Sequence, residues 1–208
     1  MPGDRSGEWP VELAGVTESV VTTLGPNDRW NAAALGLFAP ETRDGDGGDG
    51  GDGEAEGRIT ARTWGNTRTR RNLHRRGEGY VQFTRDPVDF VEAALSIHEL
   101  EDPVLDSANA WVRVTVERID RGTSGETDWE EWALTPVEST VVEETVPTID
   151  RGFAAVVEAT VAASRLGVPE YDEAVLRERL EYFASVVDRA GDPREREALE
   201  RIREYSGW

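Results

Sequence analysis

The sequence predicts a mainly β fold with α, in which a β-rich portion containing one helix is followed by a helical segment. Three observations carry this. Apolar residues alternate, or gather in short β-branched runs, as far as Val146. From Pro147 the apolar period lengthens from two to nearer four. Turn and capping residues (Gly, Pro, Asn, Asp) stand at each change of pattern.

The chain has 208 residues, enough for one large domain or a medium domain with a smaller partner. Its formal net charge is −19, yet seven Trp and the patterned segments point to a folded core rather than disorder. Cysteine is absent, which excludes disulfides, thiolate metal sites and a cysteine nucleophile. No apolar stretch approaches a membrane span and no signal-peptide core follows Met1, so a soluble cytoplasmic protein is expected. All 23 basic residues are Arg, against 42 acidic ones, a composition of halophile type.

Residues 1–16 read as a loose leader. "ESVVTTL" (18–24) is a β-rich run, "GPND" (25–28) a turn, and "WNAAALGLFAP" (30–40) a second, buried strand. Residues 41–57 hold "DGDGGDGGDGE", a low-complexity insert expected to be a flexible loop. A calcium loop is disfavoured there: after Asp44 and Asp46 the third ligand position is Gly48, and Asp49 replaces the turn glycine. "RITARTW" (58–64) and "YVQFT" (80–84) are strands. "DPVDFVEAALSI" (86–97) is a helix with Asp86 as N-cap, Pro87 at its first position, and a stripe of Phe90, Ala94 and Ile97. "AWVRVTVERI" (110–119) and "WALTPVESTVVEETV" (132–146) add strands joined by the polar turn "DRGTSGETD". Three helices follow. The first places Phe153, Val156, Val157, Thr160 and Val161 on one face; the second has Asp172 as cap and Leu176, Leu180, Phe183 and Val187 as its stripe. The third opens on Asp192, Pro193 and Glu195, a capping box. The expected division is therefore 1–146 and 147–208.

One segment stands apart chemically. "RITARTWGNTRTRRNLHRR" (58–76) carries seven arginines and no acidic residue. A strand ends at Trp64, Gly65 permits an unusual turn, and "TRRNLHRR" can form a short helix with Thr69 as N-cap. Free backbone N–H groups at such a terminus attract anions, and Arg68, Arg70 and Arg71 can add charge-assisted hydrogen bonds to a phosphate. The arginines can equally pair with neighbouring carboxylates, so the residues alone leave both readings open. The glycine spacing and lysine of a P-loop are missing.

The pieces "NAAALG", "T-x-x-N-L" at Thr69 to Leu73 and the "DP-x-x-F" helix start, in that order, resemble the archaeal DUF447 family. The resemblance runs from about Glu18 to Arg203. It implies a flavin-reductase-like FMN-binding split β-barrel with a C-terminal helical segment packed on it. It further implies a homodimer with flavin at the interface. By that resemblance Asn66, Thr67, Thr69 and Asn72 would hold phosphate and ribityl, with Arg68, Arg70 or Arg71 neutralising charge. Asn31, Ala32 and Ala33 would run beside the ring, Thr22 and Thr23 being weaker candidates. Trp30 or Trp64 could stack near the flavin, though a core role is commoner. The activity implied is that of a flavin-dependent oxidoreductase, with non-catalytic flavin binding as the alternative.

No catalytic residue emerges. His74 and His98 are the only histidines and make a metal site improbable without cysteine. His74 is expected among the arginines, near flavin or in solvent. Glu158 is expected as a buried partner of Arg151 or Arg165, or as a solvated residue. Arginines interleaved with Trp64, Tyr80 and Phe83 offer a competing class, single-stranded nucleic-acid binding, against which the net charge stands.

Overall fold

A computed structural model of the protein describes residues 5–40 and 57–208. The insert, with the calcium reading at Asp44 and Asp46, lies outside the described residues apart from Gly57. In chain order the elements are β1 (Arg5–Ser6), β2 (Val16–Leu24), β3 (Trp30–Phe38), β4 (Ile59–Trp64), α1 (Arg68–Arg76), β5 (Glu78–Thr84) and α2 (Pro87–Leu95). They continue as β6 (His98–Leu100), β7 (Ala108–Ser124), β8 (Thr127–Val141), α3 (Arg151–Ala163), α4 (Glu173–Ala190) and α5 (Pro193–Ser206).

Six strands close into an antiparallel barrel in the order β8-β4-β3-β2-β5-β7, completed by the β7–β8 pairing. β1 extends β8, and β6 adds to β3. Closure needs strands that bend, and β7 and β8 shift register at Arg113/Val114 and again at Arg118/Asp120. Alternate residues of each strand fill the interior: Val21, Leu37, Ala61, Val81, Val112, Val114, Trp132 and Leu134. Leu73 of α1 joins them and plugs one end.

The outer face of β2 and β3 is covered by α2, where Phe90 and Ala93 meet Val20 and Ala32. The other side of α2 turns outward, and its Val88 and Val91 belong to a core shared with α3, α4 and α5. Each fully buried aliphatic side chain of this kind stabilises by about 1.5–3 kcal/mol. The fold is thus a split β-barrel with a C-terminal helical layer, joined through α2.

Asp86, Asp172 and Asp192 cap their helices as read from the sequence, and the Asp192–Glu195 capping box is formed. Three details differ. α2 stops at Leu95, so Ile97 lies beyond the helix and is 69% exposed; the inward residues are Val88, Phe90, Val91 and Ala93. α3 buries Val156 and Thr160 but otherwise packs through Ala155, Ala159, Ala162 and Ala163, whose small side chains bring neighbouring backbones close. The polar stretch after Arg118 is no loop: β7 and β8 pair through it and turn only at Gly125 and Glu126, because a cross-strand ladder satisfies the backbone whatever the side chains are. Glu158 is exposed on α3, the solvated alternative. Among the described residues no helix is long and apolar enough to cross a membrane.

Candidate functional site

The barrel is interrupted along one edge of β3. There Trp30, Asn31 and Ala32 pair with β6, and Leu37 and Phe38 pair with β4. Between them Ala33 to Gly36 have no ladder partner on that edge among the described residues. "AAALG" is a poor β-former by propensity and is held extended by β2, with which all nine residues of β3 pair. Its small side chains leave the gap unfilled. A cavity of about 580 Å³ occupies it, within the range of ligand sites. One wall is Ala33, Ala34 and Leu35; the other is Arg62, Thr63 and Trp64 of β4. Thr67 and Thr69 of the α1 start, Ala93 and Ala94 of α2, and Arg165 and Tyr171 after α3 complete it.

α1 begins one turn beyond the cavity wall. Gly65 takes a left-handed backbone conformation (φ 66°) and its N–H bonds the Asp128 carbonyl, turning the chain off β4. Thr67 is the N-cap, its hydroxyl accepting from the Arg70 N–H at 3.2 Å. This corrects the expected cap at Thr69, which lies inside the helix and is buried. There its hydroxyl accepts from Asn31 Nδ2 at 3.2 Å. Helix geometry leaves the N–H groups of Arg68 and Thr69 without intrahelical partners, beside the cavity. No acidic residue stands in this first turn to offset the positive end of the helix dipole.

Asn72 is also buried. Its Nδ2 donates to the Thr23 carbonyl at 3.3 Å and hydroxyl at 3.1 Å, fastening α1 to β2. Thr22, on the opposite face of that strand, bonds the Pro103 carbonyl and accepts from Gln82, a wholly interior arrangement. Trp30 packs edge-on against Tyr80 with ring centroids 5.4 Å apart, whereas Trp64 is 47% exposed at the mouth of the cavity.

The arginines divide. Arg58 meets Glu117 at 3.3 Å, Arg62 meets Glu131 at 2.9 Å, and Arg68 meets Glu99 at 2.6 Å. Arg70 turns inward: Nη2 reaches Glu130 at 2.9 Å and Nη1 donates to the Gly65 carbonyl at 3.1 Å. Glu130 is nearly fully buried and is also held by Arg118 at 3.0 Å and His74 at 2.7 Å. Burial pushes its carboxyl up, but the bonds from Arg70, Arg118 and His74 outweigh that and hold it below the usual carboxylate range. Arg71 and Arg75 instead donate to neutral oxygens, of Asn66 and Asn72 respectively. Both line a second cavity of about 300 Å³, with Asn27, Asn31, Arg68 and Asn72.

The ten residues singled out in the sequence therefore separate in space. Ala33, Thr67 and Thr69 line the larger cavity; Asn31, Arg68, Arg71 and Asn72 line the smaller. The bond between Asn31 and Thr69 joins the two. Ala32 faces α2, Asn66 is exposed and accepts from Arg71, and Arg70 belongs to the Glu130 cluster. Sequence reasoning passed over Arg62 and Arg75 as individual site residues. It considered Arg165 only as a partner for Glu158, since nothing local ties position 165 to position 33.

Two family models account for most of the chain: the N-terminal domain of a protein of unknown function, DUF447, over residues 17–143, and its C-terminal counterpart over 150–204. The chain belongs to the DUF447 family. Among solved structures, the FMN-bound DUF447 protein MM1853 from Methanosarcina mazei superposes with a TM-score of 0.71 at 23% identity, over 93% of this chain and 96% of that one. Looser likenesses include nitrilotriacetate monooxygenase component B from Bacillus cereus (TM-score 0.45, 14% identity, 68% and 79% covered). The flavin reductase HpaC, complexed with NADP+, is another (TM-score 0.38, 12% identity, 63% and 81% covered). At those TM-scores nothing transfers to this DUF447 member.

Proposed function

We propose that this DUF447 protein binds FMN and serves as a flavin-dependent oxidoreductase, working as a homodimer in a high-salt cytoplasm. The observation that carries the reading is the break in the β3 edge, which opens a cavity of about 580 Å³ directly beside the α1 N-terminus. The ring lies along Ala33 and Ala34, where the absence of bulky side chains lets a planar group approach the backbone. Unladdered main-chain groups there supply donors and acceptors for its polar rim. The phosphate sits at the α1 start, on the N–H groups of Arg68 and Thr69 and the hydroxyls of Thr67 and Thr69. Arg165, which also lines the cavity, supplies positive charge. The FMN-bound relative of the same family supports this choice of ligand. Half-exposed Trp64 at the mouth suits closure by a second copy of the chain.

When bound, FMN supplies the redox chemistry, and the chain supplies position and electrostatics. The rival nucleic-acid reading loses most of its charge, because Arg58, Arg62, Arg68 and Arg70 are each matched by a carboxylate.

Titration with FMN, followed by flavin absorbance and fluorescence, tests the reading. The wild-type chain is expected to take up FMN saturably and in equimolar amount. Ala33→Trp fills the ring position and is expected to weaken uptake by roughly a hundredfold, the loss of about 3 kcal/mol of contacts. Its melting temperature should stay near wild type. A folded wild-type protein that ignores FMN overturns the proposal.

A further inference from the structure

We propose that the smaller cavity is a second anion site, taking the phosphate or pyrophosphate of a phosphorylated reactant beside the flavin; "second" rests on the FMN reading above. Arg68, Arg71 and Arg75 fall at i, i+3 and i+7 on α1 and so share one helix face, and all three line this cavity. Like charges so spaced repel one another, a cost that an anion between them removes. Arg68 is paired with Glu99, which also lines the cavity. Arg71 and Arg75 have no carboxylate within ion-pair distance among the described residues, although the chain holds 42 acidic residues. Each gives one guanidinium nitrogen to neutral oxygens, Arg71 at 2.6 and 3.2 Å and Arg75 at 3.1 Å. A guanidinium carries five donors in a planar fork, so most of each remains to be used.

The rest of the lining fits an oxyanion. Asn27 brings an amide that at present reaches Glu99 at 3.3 Å, and Gly25 and Pro26 form a neutral rim. Asn31 and Asn72 are buried and fixed by their bonds to Thr69 and Thr23, so the cavity floor is rigid. About 300 Å³ is room enough for a pyrophosphate. Glu99 occupies Arg68 and Asn27 in the meantime, a carboxylate standing where a phosphate oxygen would. Because Asn31 lines this cavity while its bonding partner Thr69 lines the other, an anion here holds its attached group next to the flavin position. At high salt a diffuse field is screened within about 3 Å at 1 M, which favours such short forked contacts over a charged surface.

The test uses the full chain loaded with FMN, titrated with pyrophosphate in a calorimeter, as wild type and as the double variant Arg71→Glu, Arg75→Glu. Both arginines are exposed, and circular dichroism checks that the variant folds. Wild type is expected to bind pyrophosphate saturably without releasing FMN. The double variant should lose at least roughly tenfold in pyrophosphate affinity, as for a lost charge-assisted hydrogen bond, with FMN affinity held. Release of FMN by pyrophosphate, or an equal loss of FMN affinity in the variant, would overturn the proposal and give the arginines to the flavin's own phosphate. No pyrophosphate binding by wild type overturns it too. A chain that takes no FMN but binds pyrophosphate through Arg71 and Arg75 upholds the anion site while the flavin reading fails.

Discussion

The two faces of α1 use the same residue type for opposite ends. On the inner face Arg70 is spent on Glu130, itself gripped by Arg118 and His74, and Asn72 and Leu73 sink into the barrel. On the outer face Arg71 and Arg75 lean on neutral oxygens and keep their charge. A neutralised arginine in low dielectric fixes the helix to the barrel; an unneutralised one in a polar cavity is available to a ligand. Counting arginines in the segment cannot separate these roles. Only their partners can.

Glu130 carries most of the difference between the two faces. Glu130→Ala leaves Arg70 and Arg118 facing an empty, mostly buried acceptor position. The expected cost is about 2–4 kcal/mol, below the full value for a buried pair because both guanidinium groups retain some water contact. Chemical denaturation measures it directly, and a loss under about 1 kcal/mol would deny the inner face its structural role.

A pH titration sharpens the same point with a smaller effect. The Glu130 carboxyl is held in the folded chain below the ordinary carboxylate value of 4.5. The stability it contributes is therefore present above that value, and drains away as pH falls through the lower folded pKa. Stability should decline below about pH 4.5, and Glu130→Gln should flatten that part of the profile. An identical acid limb in the variant would show that other carboxylates set it.

A smaller effect again belongs to Thr67, at the junction of the faces. Thr67→Ala removes the cap and should cost about 1 kcal/mol by thermal or chemical denaturation. Charge reversal at Arg71 and Arg75, by contrast, should move stability by no more than about 0.5 kcal/mol, as for exposed positions generally.

These outcomes bear on what the sequence could disclose. The barrel strands were legible because alternation is a direct imprint of a two-sided sheet, and the helix starts at Asp86, Asp172 and Asp192 because a capping carboxylate is a local device. β6 was not, since three residues with no buried side chain leave no pattern. The cap of α1 was misplaced by two positions, as Thr67 and Thr69 are equally able to cap and only the barrel end decides which is buried. Of the site, the "NAAALG" strand and the arginine-rich turn were visible as unusual chemistry. Their separation into two cavities was not. It depends on β6 and β4 sharing one edge of β3, and on Arg165 arriving from the turn after α3, distant in sequence.

The position of α2 between barrel and helical layer governs how the chain can be made. Arg194 grips Asp86 across 108 positions of sequence, and Tyr205 donates to Glu92 across 113. Val88 and Val91 must therefore leave the ribosome long before the residues that cover them have been translated. Until α5 is released, the newborn barrel carries a bare apolar strip on its flank. α5, which follows α3 and α4 in the chain, is the helix that seals it.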